Sequence, residues 1–420
     1  MSEALIPEKT AYGRPKPEPE ALLTEVGPGT PCGEMLRRYW QPVAASAKVT
    51  SRPSQVRILC EDLILFRDGS GRPGLLYPHC AHRGASLFWG HVETDGIRCC
   101  YHGWKFDTEG RCLDQPCEPH GGVNKGKVRQ PWYPVQELYG LVWAYMGPPD
   151  KMPQLPRFEH MEPLAEGEFY YVVDNSILSH ADLNGPAVVP YSWLNINENT
   201  MDPFHVYILH ANFGSTHFIP DFAIMPRVTW NEVEVGTIYT ACRTLPDGRE
   251  MKRVLTWVAP NMAVIPGTGA GRCDALAIFT AVDDGHTRTF VTKRVPAGFT
   301  AENLFDGKGF ATTKPWTQMT VEERQDAPND YEAQSSQGLN GLPNSSDEHL
   351  VRSDTGIGMQ RRVLRREIKK VAEGKDPINV VFRPGDEMIR TPSGNFFTET
   401  PIGGQEPVAL SSDKAGLLKD

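Results

Sequence analysis

The stretch CAHRGASLFWGHVETDGIRCCYHGW, residues 80–104, constrains this chain more than any other part of it. Cys80 and His82 form a C-x-H pair, Cys99 and His102 a C-x2-H pair, and sixteen residues separate His82 from Cys99. The stretch is too short to be a domain, so the four side chains read as metal ligands carried on two short loops. Zinc accepts the same four groups tetrahedrally. Zinc fingers, however, pair cysteine with cysteine and histidine with histidine, whereas each loop here contributes one of each. That order suits a [2Fe-2S] cluster in which one iron takes both cysteines and the other both histidines. Zinc stays as the alternative.

The other thiols fit a reduced environment. Nine cysteines, an odd number, follow an N-terminus MSEALIPEKT that lacks the apolar run of a secretory signal, so metal ligation is expected in place of a disulfide framework. Cys32, Cys60, Cys112, Cys117, Cys242 and Cys273 have no partner pattern and read as small buried hydrophobes. No run of about 18 uncharged apolar residues occurs, and the expectation is a cytoplasmic protein without membrane spans. With 43 Lys and Arg against 52 Asp and Glu, the net charge of -9 disfavours nucleic acid or an anionic membrane as a partner.

At 420 residues the chain has room for two domains. The prolines within residues 14–19 forbid regular structure and suggest an extended arm. A short helix is expected over Leu36 to Trp40, followed by β-rich runs at 56–59 and 63–66, with Asp68-Gly-Ser-Gly71 turning into a run at 74–77. Pro148, Pro149 and the Pro-rich stretch to Pro156 read as a boundary. Strands are expected at 169–173, 228–235, 237–245, 254–258, 275–282 and 287–294, with turns at Pro246-Asp-Gly248 and Asp283-Asp-Gly285 favouring antiparallel pairs. Helical signals fall at 202–210, 320–337 and 357–373. The organisation is therefore an arm and helix over 1–45, an all-β metal-binding domain over 46–150, and an α+β domain with antiparallel sheet and segregated helices over 151–420.

A second metal site is suggested by Asn199-Thr-Met-Asp-Pro-Phe-His-Val-Tyr-Ile-Leu-His210. His205 and His210 are five apart, about 140° around an ideal helix, so convergence on one ion needs a distorted turn. Two half-buried helix histidines are the bland reading of the same pair.

C-A-H-R-G-A at 80–85 followed by C-C-Y-H-G-W at 99–104 resembles the Rieske centre of the aromatic-ring oxygenases. The D-x-x-H-x4-H pattern at 202–210 is similar to the catalytic iron motif of that family, and the segment 26–40 and residues Glu348, His349, Ser353, Asp354, Arg361 and Arg362 resemble its phthalate 4,5-dioxygenase branch. The resemblance implies a Rieske [2Fe-2S] domain followed by a helix-grip-like catalytic domain. It implies Cys80, His82, Cys99 and His102 as cluster ligands, Cys100 as a bystander, and His205 and His210 as ligands of a mononuclear Fe(II).

The third iron ligand is implied at Asp330, by its spacing to Gln337-Gly338, with Asp326 as a rival four residues away on the same expected helix face. Asp202 is implied as a bridge from His205 to a cluster histidine of a neighbouring subunit, its bland role being a helix N-terminal carboxylate. Asn199 matches an Asn near the iron, and a local backbone bond explains it equally well.

As for activity, the resemblance implies an O2-dependent oxygenase component that acts on an aromatic acid, with electrons from a flavin- and ferredoxin-type NAD(P)H reductase, in a homotrimer. The specific expectation is O-demethylation of a methoxylated, lignin-derived acid resembling 5,5'-dehydrodivanillate, releasing formaldehyde. Ring cis-dihydroxylation of a phthalate-like carboxylate is the alternative, and a Rieske electron carrier the second. Arg361, Arg362, Arg365, Arg366, Lys369 and Lys370 read as the solvated face of an amphipathic helix, with reductase docking as the competing role.

Overall fold

A computed structural model gives the structure and describes residues 18–174, 186–213, 220–267, 271–272, 275–298, 316–339, 341–344 and 347–398. Most of the proline-rich arm and Cys273 lie outside these. The first half is β-rich. Strands Ser54–Ile58, Glu61–Arg67, Pro73–Leu76 and Trp132–Tyr133 form one four-stranded sheet, and His91–Glu93, Gly96–Arg98, Lys105–Phe106 and Cys112–Asp114 form another. Strand Leu141–Tyr145 pairs on one side with Trp40–Ala45 and on the other with Val135–Leu138.

The second half is built on a nine-stranded sheet whose paired strands all run antiparallel. Phe169–Val173 lies at one edge, followed by His286–Val295, Ala275–Asp283, Met262–Val264, Glu250–Val258, Gly236–Thr244 and Arg227–Val233. The six expected strands all occur, and Pro246-Asp-Gly248 and Asp283-Asp-Gly285 join antiparallel neighbours. The fold is α+β as expected.

Helix Thr355–Ala372 buries Val363, Leu364 and Ile368 and contacts the short helix Pro31–Leu36 and strand Gly236–Thr244. One large apolar cluster draws Trp40 and Trp143 from the first half together with Trp257, Phe279 and Leu364 from the second. A smaller one, with Ile64, Phe66, Leu87, Ile97 and Phe106, lies around Cys80 and Cys99. Among the described residues no helix is long and apolar enough to cross a membrane.

Several local expectations are corrected. The first helix runs Pro31–Leu36, because Thr30 caps it by accepting from Gly33 N and Pro31 opens it; Trp40 instead begins a strand opposite Tyr145. Arg361 is not on the solvated face. It is buried, with Nε 2.5 Å from Glu198 Oε1 and Nη1 2.5 Å from Glu348 Oε2. Of the remaining cations on that helix, Arg365 meets Glu20, Arg366 meets Glu232, Lys369 meets Glu373 and Lys370 meets Glu367. Burial of the loose cysteines holds for Cys32 and Cys112, whereas Cys60 and Cys242 are half-buried and Cys117 is exposed.

Candidate metal centres and active site

The two loops of residues 80–104 are built alike. Cys80 N donates to Ala85 O at 2.8 Å and Gly84 N to Cys80 O at 2.9 Å; Cys99 N donates to Trp104 O at 2.8 Å and Gly103 N to Cys99 O at 3.1 Å. Both turns close through a glycine in the left-handed region, Gly84 at φ 74° and Gly103 at φ 73°, where a side chain would be strained. His82 and His102 thus occupy positions two and three of otherwise equal loops.

This geometry sorts the donors. The Cys80 and Cys99 side chains are each in residues only 3% exposed, and the two imidazoles sit at the half-exposed rim with ring centroids 4.7 Å apart. Burial pushes the Cys80 thiol up to about 11, and the adjoining Cys99 thiol adds to the effect. Two adjoining thiols suit a shared metal, since metal binding displaces their protons. His82 is held below its ordinary pKa by burial and by the charges of His102 and Arg83, so it is neutral and ready to ligate. Paired thiols inside and paired imidazoles outside fit a [2Fe-2S] cluster with mixed ligation.

Gln130 and Arg98, which sequence reasoning passed over, secure these loops, and Trp104 and Arg83 pack beside them. Gln130 is fully buried, donates from Nε2 to Tyr77 O at 2.8 Å and His79 O at 2.9 Å, and accepts from Ala81 N at 2.7 Å. Arg98 Nη1 donates to Gly103 O at 2.6 Å and Asp114 Oδ2 at 2.8 Å, while its Nε meets Glu93. Trp104 stacks on His82, centroids 4.4 Å apart and planes within 7°. Arg83 lies 5.8 Å from the Tyr101 ring centroid, and Cys100 is exposed. Nothing in the local motif signals Gln130, which acts from fifty residues downstream of Cys80.

In the second half, helix Trp193–Asn199 and the short helix Pro203–His205 lead into a π-helical segment, Val206–Phe213. This is the distorted turn that the five-residue spacing requires, and it brings the His205 and His210 rings to 5.3 Å. Asp330, the first residue of helix Asp330–Ser335, faces them: His210 Nε2 is 3.2 Å from Asp330 Oδ2 and His205 Nε2 is 3.9 Å from Asp330 Oδ1. One ligand atom from each of the three lies within 4.8 Å of the other two.

Asp326 is not part of this group. It is exposed at the end of helix Val321–Asp326, and the chain breaks at Ala327 and Pro328 before the next helix, so the two aspartates do not share a helix face. Proline disfavours helical geometry in the residue before it.

Asn199 Nδ2 donates to Asp330 Oδ1 at 3.2 Å, joining the carboxylate to the helix before the histidines. Asp202 Oδ1 accepts from Phe204 N at 2.9 Å and His205 N at 3.2 Å, the helix-capping role. Its main-chain carbonyl also makes a short contact with His205 Nδ1, which turns Nε2 toward Asp330. Burial lowers the His205 pKa against the opposing charges of Asp202 and Asp330, which favours the neutral, metal-binding imidazole. Two imidazoles and one carboxylate, converging from two segments, fit an Fe(II) that keeps open positions. They line a partly open pocket together with Tyr239, Leu255 and Ile265.

The sequence and fold place this chain among known proteins. The Rieske [2Fe-2S] domain profile matches residues 39–134. The chain is 50% identical over 395 residues to the phenoxybenzoate dioxygenase subunit alpha of Ectopseudomonas oleovorans, covering 93% of this chain and 94% of that one. It is 34% identical over 389 residues to the 5,5'-dehydrodivanillate O-demethylase oxygenase subunit of Sphingobium sp., covering 86% and 82%. A crystal structure of dicamba monooxygenase bound to dicamba shares the fold, with TM-score 0.58 and 18% identity over 80% of this chain and 98% of that one.

Proposed function

The chain belongs to the Rieske non-haem iron oxygenases as an oxygenase (alpha) subunit, and from that membership we propose that it oxygenates an aromatic acid with O2. Convergence of His205, His210 and Asp330 at a partly open, largely apolar pocket is the observation that carries the reading. When bound, the [2Fe-2S] cluster and the mononuclear iron supply stored electrons and a site for O2 reduction.

The protein's own residues divide the remaining work. Cys80, Cys99, His82 and His102 hold the cluster, and Trp104 shields one face of His82. His205, His210 and Asp330 hold the mononuclear iron. Asn199 orients the Asp330 carboxylate, and Asp202 orients His205 through its carbonyl. The Asp202 side chain caps the helix through Oδ1 and is 30% exposed, so its other oxygen can meet a cluster histidine of a second copy, and the half-exposed His82 and His102 suit such a head-to-tail ring, a homotrimer. A separate NAD(P)H-dependent reductase delivers the electrons.

Ring dioxygenation is the favoured reaction, because the relative named a dioxygenase is 50% identical across nearly the whole chain. O-demethylation is the second reading, supported by 34% identity to the demethylase subunit. Purified protein supplied with a reductase should be offered phenoxybenzoate, phthalate and methoxylated benzoates, with aromatic diol and formaldehyde both assayed. Diol without formaldehyde supports the first reaction, formaldehyde the second, and neither product from any acid sinks the aromatic-acid proposal.

A further inference from the structure

The wall of the cavity opposite in character to its ligand cluster is a charged one. Strands Gly236–Thr244 and Glu250–Val258 pair with Tyr239 opposite Leu255, Ala241 opposite Arg253 and Arg243 opposite Met251. Alternation along a strand puts these six side chains on one sheet face. That face runs from Tyr239 and Leu255, which line the cavity, to Arg253, which also lines it, and then to Arg243 one step beyond.

Both arginines are buried, Arg253 at 4% exposure and Arg243 at 1%. Three other arginines are buried among the described residues, and each has a carboxylate: Arg37 with Glu61, Arg38 with Asp376, and Arg361 with Glu198 and Glu348. Arg243 and Arg253 have no such ion pair among the described residues. They flank one Phe222 ring, with guanidinium carbons 5.0 and 5.2 Å from its centroid. Arg253 Nη1 donates to Gly267 O at 3.0 Å and Asn395 Oδ1 at 3.3 Å, which fixes the plane of the group. Arg253 Nε and Arg243 Nη1 have no hydrogen-bond partner among the described residues. Burial lowers Arg243 to about 10; Tyr239 opposes the shift, the like charge of Arg253 adds to it, and Cys242 and the Asp221 carboxylate oppose it more weakly.

A buried cation without an ion-paired carboxylate is unfavourable, and an arriving anion relieves it. A guanidinium fork also matches a carboxylate in a way that a point charge does not. We infer that Arg253, backed by Arg243, anchors the carboxylate of the substrate, while the attached aromatic ring lies along Tyr239 and Leu255 toward the His205, His210 and Asp330 group. This rests on the aromatic-acid reading above and names the residues that select for the acid.

The test is equilibrium binding to purified holoprotein without O2, by calorimetric titration, using phenoxybenzoate and its uncharged analogue phenoxybenzamide. Wild-type protein should bind the acid at least about 30-fold more tightly than the amide, the range of one charge-assisted contact. Arg253→Gln should lose about 10- to 100-fold in affinity for the acid and less than about 3-fold for the amide, and Arg253→Lys should recover part of the loss. Arg243→Gln, one step from the cavity, should lose less than Arg253→Gln.

Discrimination by the wild type needs no variant, so a misfolded substitution cannot rescue the idea. Equal binding of acid and amide overturns the anchor and leaves the oxygenation of aromatic substrates standing. Equal loss for both ligands in Arg253→Gln also overturns it. Binding of neither ligand removes the anchor and the aromatic-acid reading together.

Discussion

The two proposed metal-binding regions reach their geometry by different routes. Residues 80–104 carry all four donors on two loops that repeat one backbone hydrogen-bond pattern, each closed by its own glycine. The second region takes two donors from a deformed helix and its third from Asp330, in a segment far along the chain. Local backbone geometry sets the first; tertiary packing sets the second. A site of the first kind should tolerate trouble elsewhere in the fold, and a site of the second kind should register it.

Removing donors from one region at a time gives the largest effects. His205→Ala combined with His210→Ala should lower turnover by at least about 100-fold and eliminate the second iron, while the visible iron-sulfur spectrum stays. Cys99→Ser should do the reverse to the spectrum. If the double variant also bleaches the cluster, the two regions are not independent. Metal analysis beside the spectrum reads both.

Asp330→Asn and Asp326→Asn sharpen the same contrast. The first should deplete mononuclear iron and activity, and the second should leave both within about 2-fold, as expected for an exposed surface change. Equal iron content in the two variants would remove Asp330 from the ligand set.

Supporting residues come next. Asn199→Ala frees the Asp330 carboxylate from its amide partner and should weaken iron binding by about 10- to 100-fold. Gln130→Ala opens three hydrogen bonds to the first loop and should speed cluster loss on dilution or mild denaturant, with mononuclear iron unchanged. Loss of both metals in either variant would contradict the separation of the regions.

The smallest effect concerns acid. Hydrogen bonds from Arg98 and Lys105 hold the Glu93 carboxyl down at about 2. A carboxyl depressed when folded stabilises the fold above its unfolded value, near 4.3, and loses that contribution as pH falls toward 2. With Glu93 30% exposed at its side chain, solvent screening leaves about 1 kcal/mol. The melting-temperature difference between wild type and Glu93→Gln should therefore be steady above about pH 5 and shrink below it. A difference that grows on acidification would reverse the assignment.

Much of this was readable from the chain because the informative patterns were local. The cluster donors lie within 25 residues, and the six sheet strands carry their own β-rich runs and turn residues. The five-residue gap between the histidines even implied the helical distortion. What stayed hidden depends on residues distant in sequence. Asp330 is favoured over Asp326 only by its spacing to Gln337-Gly338, and the two share an expected helix face until the break at Pro328 separates their helices. Arg361 follows the polar periodicity of its helix, yet Glu198 and Glu348 meet it in the interior. Arg253 lay just outside the run expected at 254–258, whereas the strand begins at Glu250 and puts Arg253 between Met251 and Leu255 on its inward phase. An arginine there reads as an exception until the cavity beside it is seen.

The π-helical segment after His205 has a one-sided consequence for changes in chain length. Deleting one residue between the histidines would let the turn relax to a regular α-helix with the imidazoles four apart, about 40° around the axis and still neighbours. Inserting one would put them six apart, about 120° from each other the short way around a regular helix and no longer on one face. This segment can therefore lose a residue and keep its pair, but it has no spare winding to absorb a gain.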